Sequence, residues 1–272
     1  MKTYNLCLVG FGNVGRAFVR LLHEKRELMQ REHGVAWRLT GIATRRIGWM
    51  ANAAGLDTSA LLDGRALAHT KCADVSEWLR AAQAGVLLEA SSLSKRDGQP
   101  AIDYLRAALE HGAHAISANK GPIVYAYDEL RALALANKLR FLFESTVMDG
   151  APVFNLFRET LPVANLRAFH GLLNSTTNVV LAEMEAGRTL QDAVQRAQEI
   201  GVAETDPTDD LEGWDAAVKV VALARVLMGV PLRLDQVQRA GITSLTSEQV
   251  RQARVAGRPY KLICRTERNT NG

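Results

Sequence analysis

The feature that most constrains this chain lies close to its N-terminus. The apolar run Leu6-Cys7-Leu8-Val9 is followed at once by Gly10-Phe11-Gly12-Asn13-Val14-Gly15, then by helical spacing from about Val14 to Leu28. A strand that turns on three glycines into a helix leaves few folds open. Gly10 permits the tight turn. Gly12 removes the Cβ that would hold a pyrophosphate away from the backbone, and Gly15 lets the helix pack close to the strand. The helix N-terminus then presents its N–H groups to the anion. Phe11, Asn13 and Val14 complete a turn expected to cradle a dinucleotide. The plainer reading is a glycine-rich turn with no ligand.

The rest of the first half supports a doubly wound α/β fold. Strands are expected at Leu39–Ala43, Val86–Leu88, Ala113–Ser117 and Phe141–Phe143, with helices at Asp103–Glu110 and Asp128–Asn137. Strands alternating with helices imply parallel pairing. The second half has another rhythm, with strand-like Leu166–Leu173 and Tyr260–Arg265. Thr189-Leu190-Gln191-Asp192 opens one helix, which ends near Gly201, and a second helix runs over Leu211–Met228. The expectation is a Rossmann-type dinucleotide-binding domain at 1–130. A second α+β domain at 131–272 would carry substrate binding, catalysis and dimerisation.

Composition narrows the function classes. The chain has 272 residues, 47% hydrophobic and 23% charged, which is ordinary for a globular protein. Its 33 basic and 29 acidic residues are interspersed, so a net charge of +4 marks no basic face for nucleic acid. No apolar run is long enough for a signal peptide or a membrane span. Cys7, Cys72 and Cys264 lie far apart and odd in number, which argues for a reducing compartment and against disulfides or a zinc site. A cytoplasmic protein without a membrane partner is expected.

Cofactor choice is read where the second strand ends, at Gly41-Ile42-Ala43-Thr44-Arg45-Arg46. An acid there would accept the adenosine ribose hydroxyls, and none is present. Arg45 and Arg46 could instead clamp a 2′-phosphate. NADP is therefore expected, with NAD as the alternative; otherwise the two arginines are solvated loop charges.

The most unusual stretch runs from Glu204 through Asp206, Asp209, Asp210, Glu212 and Asp215 to Lys219. Lys219 is the one charge between Asp215 and Arg225, on a helix that is apolar almost all round and so expected to be buried. Asp215 lies one turn earlier on the same face. One reading is a structural ion pair or a snorkelling lysine. The other is a proton donor for a carbonyl being reduced, with nearby acids binding a substrate ammonium.

These residues match a known family. The chain resembles homoserine dehydrogenases over nearly its whole length. The resemblance is carried by Gly10–Gly15, Ser117-Ala118-Asn119-Lys120, Glu144-Ser145-Thr146-Val147, Gly171-Leu172-Leu173-Asn174-Ser175-Thr176-Thr177-Asn178, and Glu204 through Lys219. It implies NAD(P)(H)-linked interconversion of L-aspartate 4-semialdehyde and L-homoserine, on the route to threonine and methionine. It further implies that Lys219 moves the proton at the substrate oxygen, that Asp215 orients it, and that Glu204 holds the substrate ammonium. Asp210, Asn174 and Thr176 would line the substrate site, Lys120 would sit beside nicotinamide and substrate, and Ser91 and Ser92 would lie near the cofactor. A sodium ion would be held, largely through carbonyls, at Glu144, Val147, Asp149 and Ala151. A homodimer is expected.

The departures from the family are equally specific. Ser175 stands where the family usually has glycine, and tolerance is expected. Glu89-Ala90-Ser91-Ser92 fits the family pattern loosely. Relatives usually continue past the Tyr260–Arg265 strand and return to the nucleotide domain, whereas this sequence ends at Gly272, and no regulatory domain is expected. Feedback through such a module is not expected. Two rivals follow. A non-catalytic or weakly active regulatory relative would keep the cradle without the chemistry. An aspartate-semialdehyde dehydrogenase would need a nucleophilic cysteine, and none of the three sits in a catalytic context.

Overall fold

The computed structural model describes residues 1–65, 68–94, 96–148 and 150–268, and the chain divides into two compact units, Met1–Gly150 and Ala151–Gly272. The first unit carries strands β1 (Lys2–Val9), β2 (Val35–Thr44), β3 (Gly48–Ala51), β4 (Val86–Glu89), β5 (His114–Ser117) and β6 (Phe141–Leu142). Its helices are α1 (Asn13–Glu24), α2 (Arg26–His33), α3 (Thr58–Leu62), α4 (Val75–Ala81), α5 (Ala101–His111) and α6 (Lys120–Ala136). The six strands form one sheet in the order β3-β2-β1-β4-β5-β6. Strand order reverses at β1, which pairs in parallel with β2 on one side and β4 on the other. That reversal opens a crevice at the strands' C-terminal ends.

The doubly wound expectation holds, with one change at the sheet edge. β3 runs antiparallel to β2, with Thr44 opposite Gly48. Only residues 45–47 separate the two strands, and so short a link can only double back. The boundary expected at 130 also moves. It falls inside α6, and β6 pairs with β5, so the first unit continues to Gly150. The single helix expected to Leu28 is two, broken at Lys25. Sheet and helices bury a common core that includes Leu8, Val19, Trp37, Leu39, Ile42 and Met50. Each fully buried aliphatic side chain contributes roughly 1.5–3 kcal/mol.

The second unit holds a two-stranded antiparallel sheet of β7 (Ala168–Gly171) and β8 (Cys264–Glu267), so the second strand lies later than the expected Tyr260–Arg265. Its helices are α7 (Val153–Asn155), α8 (Ser175–Glu185), α9 (Leu190–Glu199), α10 (Thr208–Leu211), α11 (Trp214–Met228) and α12 (Ser247–Val255). The helix expected over Leu211–Met228 is interrupted by Gly213, whose φ of +79° is left-handed. Gly229, with φ +63°, ends α11 as expected. One core joins α8, α9 and α12 through Val180, Leu181, Met184, Ala193, Ala197 and Val250; a second packs Ala216 and Val220 of α11 on Cys264 of β8. Among the described residues, no helix is long and apolar enough to cross a membrane.

Candidate active site

At the glycine turn, sterics divide the labour. Gly10 has φ +90°, and a Cβ there would lie 2.4 Å from the Ala90 carbonyl oxygen. A Cβ on Gly15 would lie 2.7 Å from the Gly10 carbonyl oxygen. These two glycines are required by packing. Gly12 is different: its Cβ would meet nothing within 4 Å. Gly12 is also the N-cap of α1, no side chain caps that helix, and its first turn carries no acid. Open space above uncapped N–H groups, at the point where strand order reverses, fits a dinucleotide pyrophosphate. Phe11 is buried, while Asn13 and Val14 are exposed. Arg45 and Arg46 lie exposed in the turn after β2, and neither makes an ion pair among the described residues.

Across the crevice, at the end of β4, sits a group that sequence reasoning missed. Glu89 is 1% exposed. One carboxylate oxygen accepts from the Ser91 N–H at 2.8 Å and the Ser91 hydroxyl at 2.5 Å; the other accepts from the Ser117 hydroxyl at 2.8 Å. Asn119 donates to the Ser91 and Ser92 carbonyls, both at 3.4 Å, and accepts from the Gly121 N–H at 2.9 Å, capping α6. A buried carboxylate this well supplied with donors is satisfied, not stranded. It ties Ser91 to the segment that begins α6, where Lys120 is the first helical residue. The available signal was an acid ending the apolar strand Val86-Leu87-Leu88.

In the second unit, α11 presents Asp215 and Lys219 one turn apart. The Lys219 ammonium lies 2.7 Å from Asp215 Oδ2 and donates to the Leu173 carbonyl at 2.7 Å. The two side chains are 15% and 18% exposed. An ammonium has three hydrogens; two are committed to these partners, and the third has no partner among the described residues. Asn174 Nδ2 donates to Asp210 Oδ1 at 2.5 Å and to Asp215 Oδ2 at 3.0 Å. The left-handed turn at Gly213 lets α10 and α11 bring these two carboxylates to one amide. Asp215 lies in the first turn of α11, where the helix dipole favours its charge.

The remaining expected residues are placed as follows. Glu204 is exposed in the loop after α9, and its backbone carbonyl accepts from Gln198 at 3.1 Å. Among the described residues its carboxylate has no partner. Thr176 is 3% exposed and donates to the Val202 carbonyl at 3.3 Å, tying α8 to the same loop. Glu212 and Asp206 serve local structure: Glu212 accepts from the Trp214 indole, and Asp206 accepts from Thr208 at the start of α10. Ser175 is the first residue of α8 and is not among the positive-φ residues, so a Cβ costs no strain there. Asn174 is the N-cap of this helix. Of the four sodium positions, Glu144 opens a short 3₁₀ turn with buried Val147 just beyond, and Ala151 begins the second unit. Asp149 lies outside the described residues.

The thiols speak against one rival. Burial pushes Cys7 up to about 12, against a weaker lowering by the Thr40 hydroxyl. Burial also raises Cys72 and Cys264. All three shifts run against the thiolate that a covalent aldehyde oxidation would require.

The fold and these groups are those of a nicotinamide-dependent oxidoreductase of two units: a glycine turn suited to a dinucleotide in the first, and in the second a lysine paired with a carboxylate. The family model for the homoserine dehydrogenase NAD-binding domain matches residues 10–144, and that for homoserine dehydrogenase matches residues 152–270. An NAD(+)-dependent homoserine dehydrogenase of Pseudomonas canavaninivorans is 36% identical, over 100% of this chain and 80% of the relative. A homoserine dehydrogenase of Sulfurisphaera tokodaii is 35% identical, over 87% of this chain and 73% of its own. The crystal structure of a homoserine dehydrogenase from Thiobacillus denitrificans superposes with a TM-score of 0.81 at 30% identity, covering 100% of this chain and 60% of that longer one. The chain belongs to the homoserine dehydrogenase family, oxidoreductases acting on a CH–OH group.

Proposed function

We propose that this chain reduces L-aspartate 4-semialdehyde to L-homoserine, and catalyses the reverse, in threonine and methionine biosynthesis. The observation that carries the reading is the Lys219 ammonium held by Asp215 and the Leu173 carbonyl with one hydrogen uncommitted. A dinucleotide, when bound, supplies the hydride that reaches the aldehyde carbon. As negative charge develops on the carbonyl oxygen, Lys219 transfers a proton to it, and in reverse takes the proton from the homoserine hydroxyl. Asp215 fixes the direction of the ammonium and stabilises its charge. The free Glu204 carboxylate receives the substrate ammonium, and Thr176 holds the loop that carries it. Lys120, at the start of α6, serves beside the nicotinamide, with Ser91 and Ser92 of the Glu89 network near it.

NADP is the preferred cofactor in this reading, with Arg45 and Arg46 on the 2′-phosphate; the Pseudomonas relative named above is NAD(+)-dependent. A sodium ion at Glu144, Val147, Asp149 and Ala151 belongs to the same reading, tested by exchanging sodium for choline at constant ionic strength. So does a homodimer through the second unit, whose Leu172 and Ile263 are 45% and 64% exposed beside its two-stranded sheet. Light scattering tests that assembly. Three free cysteines, two of them buried, suit the reducing cytoplasm.

The central test is NADPH oxidation in the presence of L-aspartate 4-semialdehyde, with homoserine identified as product. Formation of homoserine in step with NADPH loss is expected. NADPH binding without turnover would instead favour the regulatory reading.

A further inference from the structure

We infer that Asn174 is a positioning residue that holds Asp210 and Asp215 in place and so aims Lys219, not a group that binds substrate. The inference rests on the reaction proposed above. Asn174 is 5% exposed, and an asparagine amide has two N–H donors and two acceptor lone pairs. All four are committed. Nδ2 donates to Asp210 at 2.5 Å and Asp215 at 3.0 Å, while Oδ1 accepts from the Thr177 N–H at 2.8 Å and the Thr177 hydroxyl at 3.0 Å. The reverse amide orientation would set a carbonyl against two carboxylates, so the network fixes the side chain.

The bonds have a purpose beyond capping α8. Asp210 and Asp215 reach the same nitrogen from positions 36 and 41 residues along the chain. Two carboxylates this close repel unless donors lie between them. The Asp215 oxygen that accepts from Asn174 is also the one paired with Lys219. Leu173, the residue just before, supplies the carbonyl that takes another Lys219 hydrogen. Residues 173 and 174 therefore grip the lysine from two sides, one by its backbone and one through Asp215. A neutral donor is needed at 174, because a third carboxylate would compete for Lys219 and a side chain without N–H would let the two acids part.

Two variants separate the bridge from the cap. Serine and aspartate are both good N-caps, so Asn174→Ser and Asn174→Asp keep the acceptor for Thr177 and lose the two amide N–H donors that bridge Asp210 and Asp215. Asn174→Ser is expected to melt within a few degrees of wild type and Asn174→Asp lower, because a third carboxylate joins two others; both are expected to bind NADPH as wild type does. Their kcat should fall, roughly tenfold for Asn174→Ser, the loss expected of one hydrogen bond to a charged group. Asn174→Asp should fall further. The isotope effect on kcat with NADPH deuterated at the transferred hydrogen should rise, as misaligned chemistry becomes rate-limiting. Equal kcat in all three proteins would reduce Asn174 to a helix cap. A loss confined to KM for the semialdehyde would make it a substrate ligand. Either result overturns the inference.

A second measurement stands apart from activity. Reductive methylation of Lys219, followed by peptide mass mapping, should be faster in Asn174→Ser than in wild type. If wild type fails to reduce the semialdehyde, the proposed reaction fails while this rate still decides the positioning role. An unchanged rate refutes it.

Discussion

Gly10 and Gly12 sit two residues apart in one turn, yet alanine should do opposite things at each. At position 10 a Cβ enters a left-handed backbone of φ +90°, at a cost of about 1–2 kcal/mol. It also lies 2.4 Å from the Ala90 carbonyl oxygen and 2.8 Å from its carbon, both backbone atoms that cannot swing aside. Overpacking of that kind adds about 1–3 kcal/mol. A domain of this size loses roughly 2–4 °C in Tm per kcal/mol, so Gly10→Ala should melt about 4–20 °C lower. At position 12 the backbone is extended, with φ −83°, and no atom lies within 4 Å of the new Cβ. Gly12→Ala should keep its stability within about 1 kcal/mol. Its methyl occupies the space a pyrophosphate needs, so NADPH affinity should fall at least about tenfold, or 1.4 kcal/mol. Thermal melts by circular dichroism and NADPH titration by fluorescence measure both quantities. A Gly10→Ala protein that melts like wild type, or a Gly12→Ala protein with undiminished affinity, refutes this division of roles.

Three further outcomes are expected. Replacing Arg45 and Arg46 together by alanine should lower kcat/KM for NADPH relative to NADH by about tenfold or more, since charge-assisted bonds are worth roughly 1.5–3 kcal/mol; an unchanged ratio would return both to solvated loop charges. Alkylation of the native protein at pH 8 should modify Cys72 and spare buried Cys7 and Cys264, because burial pushes Cys7 up to about 12 and keeps it a thiol. Labelling of Cys7 as fast as Cys72 would contradict that. Glu89→Ala strips the Ser91 and Ser117 donors of their buried acceptor and should cost about 2–4 kcal/mol, read as a lower Tm; a neutral melt would mean the network does not hold.

What the sequence made legible was local. The turn at residues 10–15 announces itself because strand, glycines and helix are contiguous, and Asp215 with Lys219 because one helical turn separates them. The Asn174 bridge was out of reach: its partners lie 36 and 41 residues away, and only the fold brings them to one nitrogen. Glu89 was hidden for the same reason, since its Ser117 donor comes from another strand. The boundary expected near 130 reflects a short strand. β6 has only two residues, Phe141 and Leu142, too few for a pattern to show which sheet it joins. β3 has four and lies at the sheet edge, so its antiparallel course follows from the length of the preceding turn, not from any periodicity. Gly213 was visible in the sequence; the apolar run that begins at Ala216 drew the helix back across it and masked the break between α10 and α11.

The central claim is that Lys219 moves the proton in a nicotinamide-linked reduction of L-aspartate 4-semialdehyde. The most direct test compares wild type with Lys219→Ala, measuring kcat by NADPH oxidation and NADPH affinity by titration. The account predicts that kcat falls by roughly 10²–10⁴-fold, as expected for loss of a general acid, while NADPH affinity is unchanged. Turnover within a few-fold of wild type in Lys219→Ala would contradict it.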